Sequence, residues 1–325
     1  MKQMMKQLNT PVTSSKFFLS VCFCRKYSID TSSVQLSEDM EFIYNDLTRN
    51  FNYSNSVSRT EFDNIQQRVV SGLYVLSPID VLYLSRKNVE EYRDLLALFY
   101  PDFMVLPTMD PFLYIVILPN KKDVLVYLGL SIMLYRLSHG CLPKKGYRMS
   151  NLIYPFYDNI SNMGKVDRLY NITLNPSLSI LKKSTILDKV KPFVCEGSVC
   201  YNLISSFLDL PMIDTYGNSI SRQGCLITVG DINLVLFDIV LMDFDREFAK
   251  RFPGIAISRY FDLVYISTRE NDKVIFDEKA FNELLDELGL LADITSIGPG
   301  DEPIICSTKK IYISNDSSKL VVCDI

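Results

Sequence analysis

The chain has 325 residues, 48% apolar and 22% charged, with a net charge of −4; this is the composition of a folded globular protein and excludes an intrinsically disordered chain. The basic pairs Lys182-Lys183 and Lys309-Lys310 stand between acidic stretches and form no patch of the kind a nucleic-acid partner requires. The longest apolar run, Tyr114 to Leu137, is interrupted by Pro119, Asn120, Lys121, Lys122 and Asp123, whereas a membrane-spanning helix needs about 20 apolar residues in succession.

From Met1 to Ile29 there is no Asp or Glu, while Lys2, Lys6, Lys16, Arg25 and Lys26 lie among Ser, Thr and apolar residues, as in an organelle transit peptide. Arg25-Lys26-Tyr27-Ser28 resembles a site of mitochondrial matrix processing, with cleavage expected after Tyr27. A secretory signal centred on Phe17 to Cys24 fits less well, because both flanks of that run are basic. The expected organisation is a transit peptide over 1–27, a polar lead-in over 28–70 and one α/β domain over 71–325, in a mitochondrial protein, with a plastid or another organelle as the alternative.

In the lead-in a helix is expected to open at Ser37, where Glu38, Asp39 and Glu41 suit the positive end of a helix dipole. Leu73-Tyr74-Val75-Leu76 and Val81-Leu82-Tyr83-Leu84 flank Ser77-Pro78 and read as strand, turn and strand. A helix follows over 89–99, capped by Ser85 or Asn88 and ended by Pro101-Asp102, and then a short apolar strand over 103–106. Strand, helix and strand make a βαβ unit.

Further along, the pattern predicts helices over 124–137, 147–158, 245–251 and 278–288, strands over 170–174, 233–241 and 263–266, and short terminal strands around Ile311-Tyr312-Ile313 and Leu320-Val321-Val322. The fold class that results is α/β, a mixed and largely parallel sheet with covering helices. Eight scattered cysteines read as thiols rather than a disulfide framework, and the spacing of Cys195 and Cys200 is not a zinc signature. His139, the single histidine, reads as a helix-end residue beside the negative pole of the dipole.

The order of elements resembles the TraB family (PrgY/GumN-like). Asp80-Val81-Leu82-Tyr83-Leu84-Ser85 stands at the family's Gly-Thr-Ala-His-x-Ser, followed by Pro101-Asp102 and an apolar strand that ends in Pro107 where the family has Glu. Pro143-Lys144-Lys145-Gly146 stands at Pro-Gly-x-Glu, and Val166-Asp167-Arg168-Leu169 with Thr173 at Gly-Asp-Arg-Pro and its Thr. Asp243-Phe244-Asp245 is similar to a Glu-Arg-Asp before a helix, and Ser267-Thr268-Arg269-Glu270 falls at Gly-x-Gly-His. The resemblance covers roughly residues 71 to 275 and implies a fold related to the ChaN/erythromycin-esterase type.

The same resemblance implies a degenerate site. The motif His and Glu positions hold Tyr83, Glu270, Pro107 and Gly146, which leaves too few ligands for a catalytic zinc. Asp80, Tyr83, Ser85, Pro107 and Gly146 are thus degenerate motif positions, and the residual polar set is Asp167, Arg168, Thr173, Asp245 and Glu270. The expectation is a pseudoenzyme without cofactor or metal that binds a protein partner or small ligand as a regulatory or scaffold protein. Peripheral membrane association is compatible with it, and nucleic acid is not an expected partner. The alternatives are a metal-dependent hydrolase or peptidase holding Mg²⁺ or Mn²⁺ through Asp167, Asp245, Glu270 and Glu196, and a structural subunit of a mitochondrial complex.

Overall fold

A computed structural model describes residues 32–51, 57–99, 104–107, 112–139, 157, 160–174, 177, 180–220, 224, 226, 230–269, 272, 276–306 and 309–324. The fold is mixed α/β with several sheets, and the chain divides into two compact units. The first takes Met1–Ser138 and Lys182–Leu236, the second His139–Leu181 and Phe237–Ile325. The transit peptide expected over 1–27 and most of the helix expected over 147–158 lie outside the described residues.

The first unit begins with a helix pair, α1 (Ser32–Phe51) and α2 (Arg59–Val70). Leu36, Met40, Ile43, Tyr44 and Leu47 recur at helical spacing on one face of α1, and all are buried. The lead-in is thus part of the core, and its helix opens at Ser32 rather than Ser37. Ser58 caps α2, its hydroxyl accepting from the Glu61 amide at 3.3 Å, and the Tyr44 and Phe62 rings stack at 4.4 Å between centroids.

The expected strand over 73–76 is irregular chain, in no strand among the described residues. Its alternation remains, with Leu73 and Val75 exposed and Leu76 buried. The strand and helix after it are β1 (Ile79–Ser85) and α3 (Arg86–Phe99), followed by β2 (Met104–Pro107) and β3 (Leu113–Leu118). Helix α4 (Lys121–His139) is apolar around much of its circumference because it is a core helix. Val124, Leu125, Val126, Tyr127, Leu130, Met133 and Leu134 are buried. Asp123 in its first turn accepts from the Tyr74 hydroxyl and the Ser77 amide, each at 2.6 Å, where the dipole favours an anion. The unit is completed by α5 (Lys183–Val190), α6 (Val199–Asp209), β5 (Met212–Asp214) and β6 (Ser219–Ile220).

Its sheet has the order β2-β3-β1-β5-β6. Strands β1 and β2 run parallel to one another with antiparallel β3 between them, and the pair β1–β5 is the parallel ladder of this sheet. The sheet is mixed as expected, but not largely parallel. The connections explain this: β2 returns to β3, and β5 to β6, through links of a few residues, too short for the crossover that a parallel neighbour demands.

The second unit carries β4 (Arg168–Thr173), β7 (Ala256–Tyr260), β8 (Leu263–Thr268) and β9 (Asp293–Ile297) in a wholly antiparallel sheet of order β7-β8-β4-β9. A second antiparallel sheet holds β10 (Ile304–Cys306), β11 (Lys309–Ile313) and β12 (Leu320–Asp324). Helix α7 (Gly230–Val240), which belongs to the first unit as far as Leu236, leads into α8 (Met242–Arg251), and α9 (Glu278–Leu288) follows β8. Residues 233–240, expected as strand, are therefore helical. Ile232, Val235, Leu236, Phe237, Ile239 and Val240 are all buried, and a short continuously apolar run carries no period that separates helix from strand. Asp277 caps α9 through the Lys279 and Ala280 amides, and Gly289 closes it at φ 65°.

Phe244, Phe248, Phe252, Phe276 and Phe281 form a chain of ring contacts, joined by Tyr170 of β4 at 4.7 Å from Phe276. Residues alternate across a strand, so the opposite face of this sheet carries Leu169, Asn171 and Thr173. There Leu169, Tyr265 and Ile297 pack with Ile311, Ile313 and Leu320. Among the described residues no helix is long and apolar enough to cross a membrane.

Candidate functional site

Within the second unit, polar and strained groups gather at the tip of the β7–β8 hairpin. Tyr260 pairs with Leu263, so the chain reverses over Phe261 and Asp262 alone. Phe261 has φ 54°, a left-handed conformation that a two-residue hairpin turn needs and that usually falls to Gly or Asn. A bulky residue there is an outlier, held in place by its neighbours: its ring lies 4.9 Å from that of Phe237, and its carbonyl accepts from Arg259 Nη1 at 3.3 Å.

Arg259 is the brace. Its Nε and Nη2 donate to the two oxygens of Asp245 at 2.9 Å and 2.6 Å, and Nη2 also donates to Asp238 at 2.5 Å. This bidentate arrangement joins the C-terminal end of β7 to α7 and α8. The cluster has one more carboxylate than cation. Burial therefore raises the Asp245 carboxyl from its ordinary 3.8 to about 6 despite the opposing guanidinium, and Asp238 adds to the rise. For Arg259 burial acts toward neutrality, but Asp245 and Asp238 outweigh it and the guanidinium is held charged.

Asp262 lies at the tip itself. Thr173 Oγ1 donates to its Oδ2 at 3.2 Å, and its carbonyl accepts from the Leu174 amide at 2.7 Å. Burial raises its carboxyl, against hydrogen bonds from its own amide and from Thr173. On the same face of β4, Asn171 Nδ2 donates to Thr295 Oγ1 at 3.2 Å, while Asn171 Oδ1 is buried with no partner among the described residues. This corner is rich in acceptors.

The residues singled out in the sequence are not brought together as one set. Thr173 reaches the hairpin tip and Asp245 belongs to the brace beneath it. Arg168 is at the far end of β4, about 17 Å along the strand from Thr173, and donates to Ser296 Oγ at 3.1 Å; Asp167 precedes it. Glu270 and Gly146 lie outside the described residues. Glu196 is in the first unit, on the surface, 3.3 Å from Lys191.

Among the degenerate positions, Asp80 and Tyr83 are exposed on β1, and Ser85 Oγ accepts from the Asn88 amide at 3.2 Å as the cap of α3. Pro107 pairs with Tyr114 at the sheet edge. Among the described residues no three His, Cys, Asp or Glu side chains converge closely enough for a metal ion.

Arg259, Asp238, Phe261 and Asp262 are absent from the sequence-based site. A signal existed for the first two, since a single charge in each of the apolar runs 255–260 and 232–241 requires a buried countercharge. For the turn, Phe261-Asp262 lacks the Gly or Asn that would mark it.

No family model matches the chain. A protein from Zea mays described as an uncharacterized 39 kDa protein in mitochondrial S-1 and S-2 DNA is 26% identical over 171 residues, which is 52% of this chain and 49% of the relative. The match thus spans about half of each. Among solved structures, apo telomerase from Candida tropicalis superposes with a TM-score of 0.44 at 10% identity, covering 74% of this chain and 53% of that one. The form truncated from the C-terminal domain gives 0.45 at 11%, covering 69% and 54%. Scores at that level do not establish a common fold.

Proposed function

We propose that this chain is a non-catalytic binding protein of mitochondria, a degenerate relation of the TraB plan, that engages a protein partner or small ligand at the β7–β8 hairpin tip. The observation that carries the reading is Phe261: a left-handed backbone at a bulky residue costs about 1–3 kcal/mol, and such strain persists where surrounding structure enforces it. Here a fully buried guanidinium braces the Phe261 carbonyl, next to the corner where Thr173 meets Asp262. The carboxylate that a hydrolase reading would use, Asp245, has both oxygens engaged by Arg259.

Kinship with TraB rests on the order of β1, Ser85, α3 and Pro101-Asp102, and the mitochondrial assignment on the basic leader and on the description of the maize relative. A photo-crosslinking residue placed at 262 in the native organelle tests the binding role, with a second one at the exposed Glu283 as control. A discrete adduct from 262 and none from 283 is the expected result. Equal labelling from both positions counts against a binding tip.

A further inference from the structure

Asp39 lies on the buried face of α1 with 2% of its surface exposed, between Leu36 and Met40. Those two side chains bear on α4 where Gly129 leaves room for them. Arg136 of α4 donates to Asp39 Oδ1, and Gln35 Nε2 lies 3.5 Å from the same oxygen. Oδ2 is buried and has no hydrogen-bond partner among the described residues. Arg136 is itself one-third exposed, so its charge is shared with solvent and compensates a buried anion incompletely.

We propose that α1 is a pH-responsive clasp, whose hold on α4 tightens when Asp39 takes up a proton and loosens when it releases it.

The other charges around this contact are committed elsewhere. On α1, Glu38 adds repulsion and Glu41 is bound to Arg59 of α2. On α2, Arg59 also holds Asp63, Glu61 is bound to Lys122 of α4, and Gln66 donates to the Ser37 carbonyl. On α6, which also packs on α1, Asp209 is bound to Lys183.

With Arg136 as the cation on Asp39, burial raises this carboxyl from 3.8 to about 6, against Arg136 and Gln35 and with help from Glu38. A folded value above the unfolded one means that the stabilisation is fully present below 3.8 and is lost as the pH rises through about 6.

Hydrogen exchange of the α1 amides, corrected for the chemical rate, reads the clasp directly. Protection should be about tenfold higher at about pH 5 than at about pH 7.5, and Asp39→Asn should show the same protection at both. A carboxyl NMR titration of the wild-type chain should place the Asp39 midpoint near 6, which keeps the test decisive if the variant does not fold. Equal wild-type protection at both pH values, a slope that survives Asp39→Asn, or a midpoint at the ordinary carboxylate value would overturn the proposal.

Discussion

Arg259 donates to both oxygens of Asp245, at 2.9 Å and 2.6 Å, and neither side chain has any exposed surface. A guanidinium near the end of an apolar strand is costly to desolvate when buried, and a buried pair is weak grounds for stability in itself. What it supplies here is position: the same group reaches Asp238 on α7 and the carbonyl of Phe261 at the turn. Removing the cation would leave two buried carboxylates facing each other.

Arg259→Leu is therefore expected to destabilise the protein by about 3–5 kcal/mol, the usual consequence of breaking one side of a buried ion pair. Replacing Arg259, Asp238 and Asp245 together by apolar residues of similar volume should recover most of that loss. Urea unfolding of the single and triple variants checks both statements.

The left-handed turn can be tested apart from the ring contact. Phe261→Asn and Phe261→Val both remove the ring that meets Phe237, but Asn visits the left-handed region readily and Val does not. The Asn variant should be the more stable by about 1–2 kcal/mol, and equal stabilities would mean that the backbone at 261 is not strained.

At Gly129 a Cβ would meet Leu36 Cδ1 at 2.8 Å and Met40 Cγ at 2.9 Å. Gly129→Val should therefore force α1 outward and cost about 1–3 kcal/mol as overpacking, with faster hydrogen exchange over residues 32–51 than over α9.

A basic segment over 1–27 is expected to act in import, whereas the maize relative is described as a protein in mitochondrial S-1 and S-2 DNA. N-terminal sequencing of the native protein tests the import expectation. A mature start at Ser28 is expected from the sequence reading, and a retained Met1 would mean that the basic segment is not a cleaved transit peptide.

Elements whose period or caps are strong were legible in the sequence: α9 between Asp277 and Gly289, α4, and the strands β1, β4 and β8. The helix α7 was not, because nearly every residue of it is apolar and burial on all sides erases the period. Nor was the packing of α1, where mixed charge between Leu36 and Leu47 masked a clean helical stripe. At the hairpin corner, Thr173 and Asp245 are residues that the sequence motifs also single out, whereas Arg259 and Asp238 are single charges inside apolar runs and belong to no motif. The largely parallel sheet failed as an expectation because strand order depends on which neighbours the short links allow, and periodicity carries no information on that.

The most direct test of a non-catalytic tip is metal content and thermal unfolding of the purified chain with EDTA, Mg²⁺, Mn²⁺ and Zn²⁺. The expected result is no bound metal in stoichiometric amount and an unchanged Tm. A stoichiometric metal that raises Tm, as a ligand of the native state must, and that is lost in Asp167→Asn and Glu270→Gln, would contradict the binding-protein reading and restore a hydrolase.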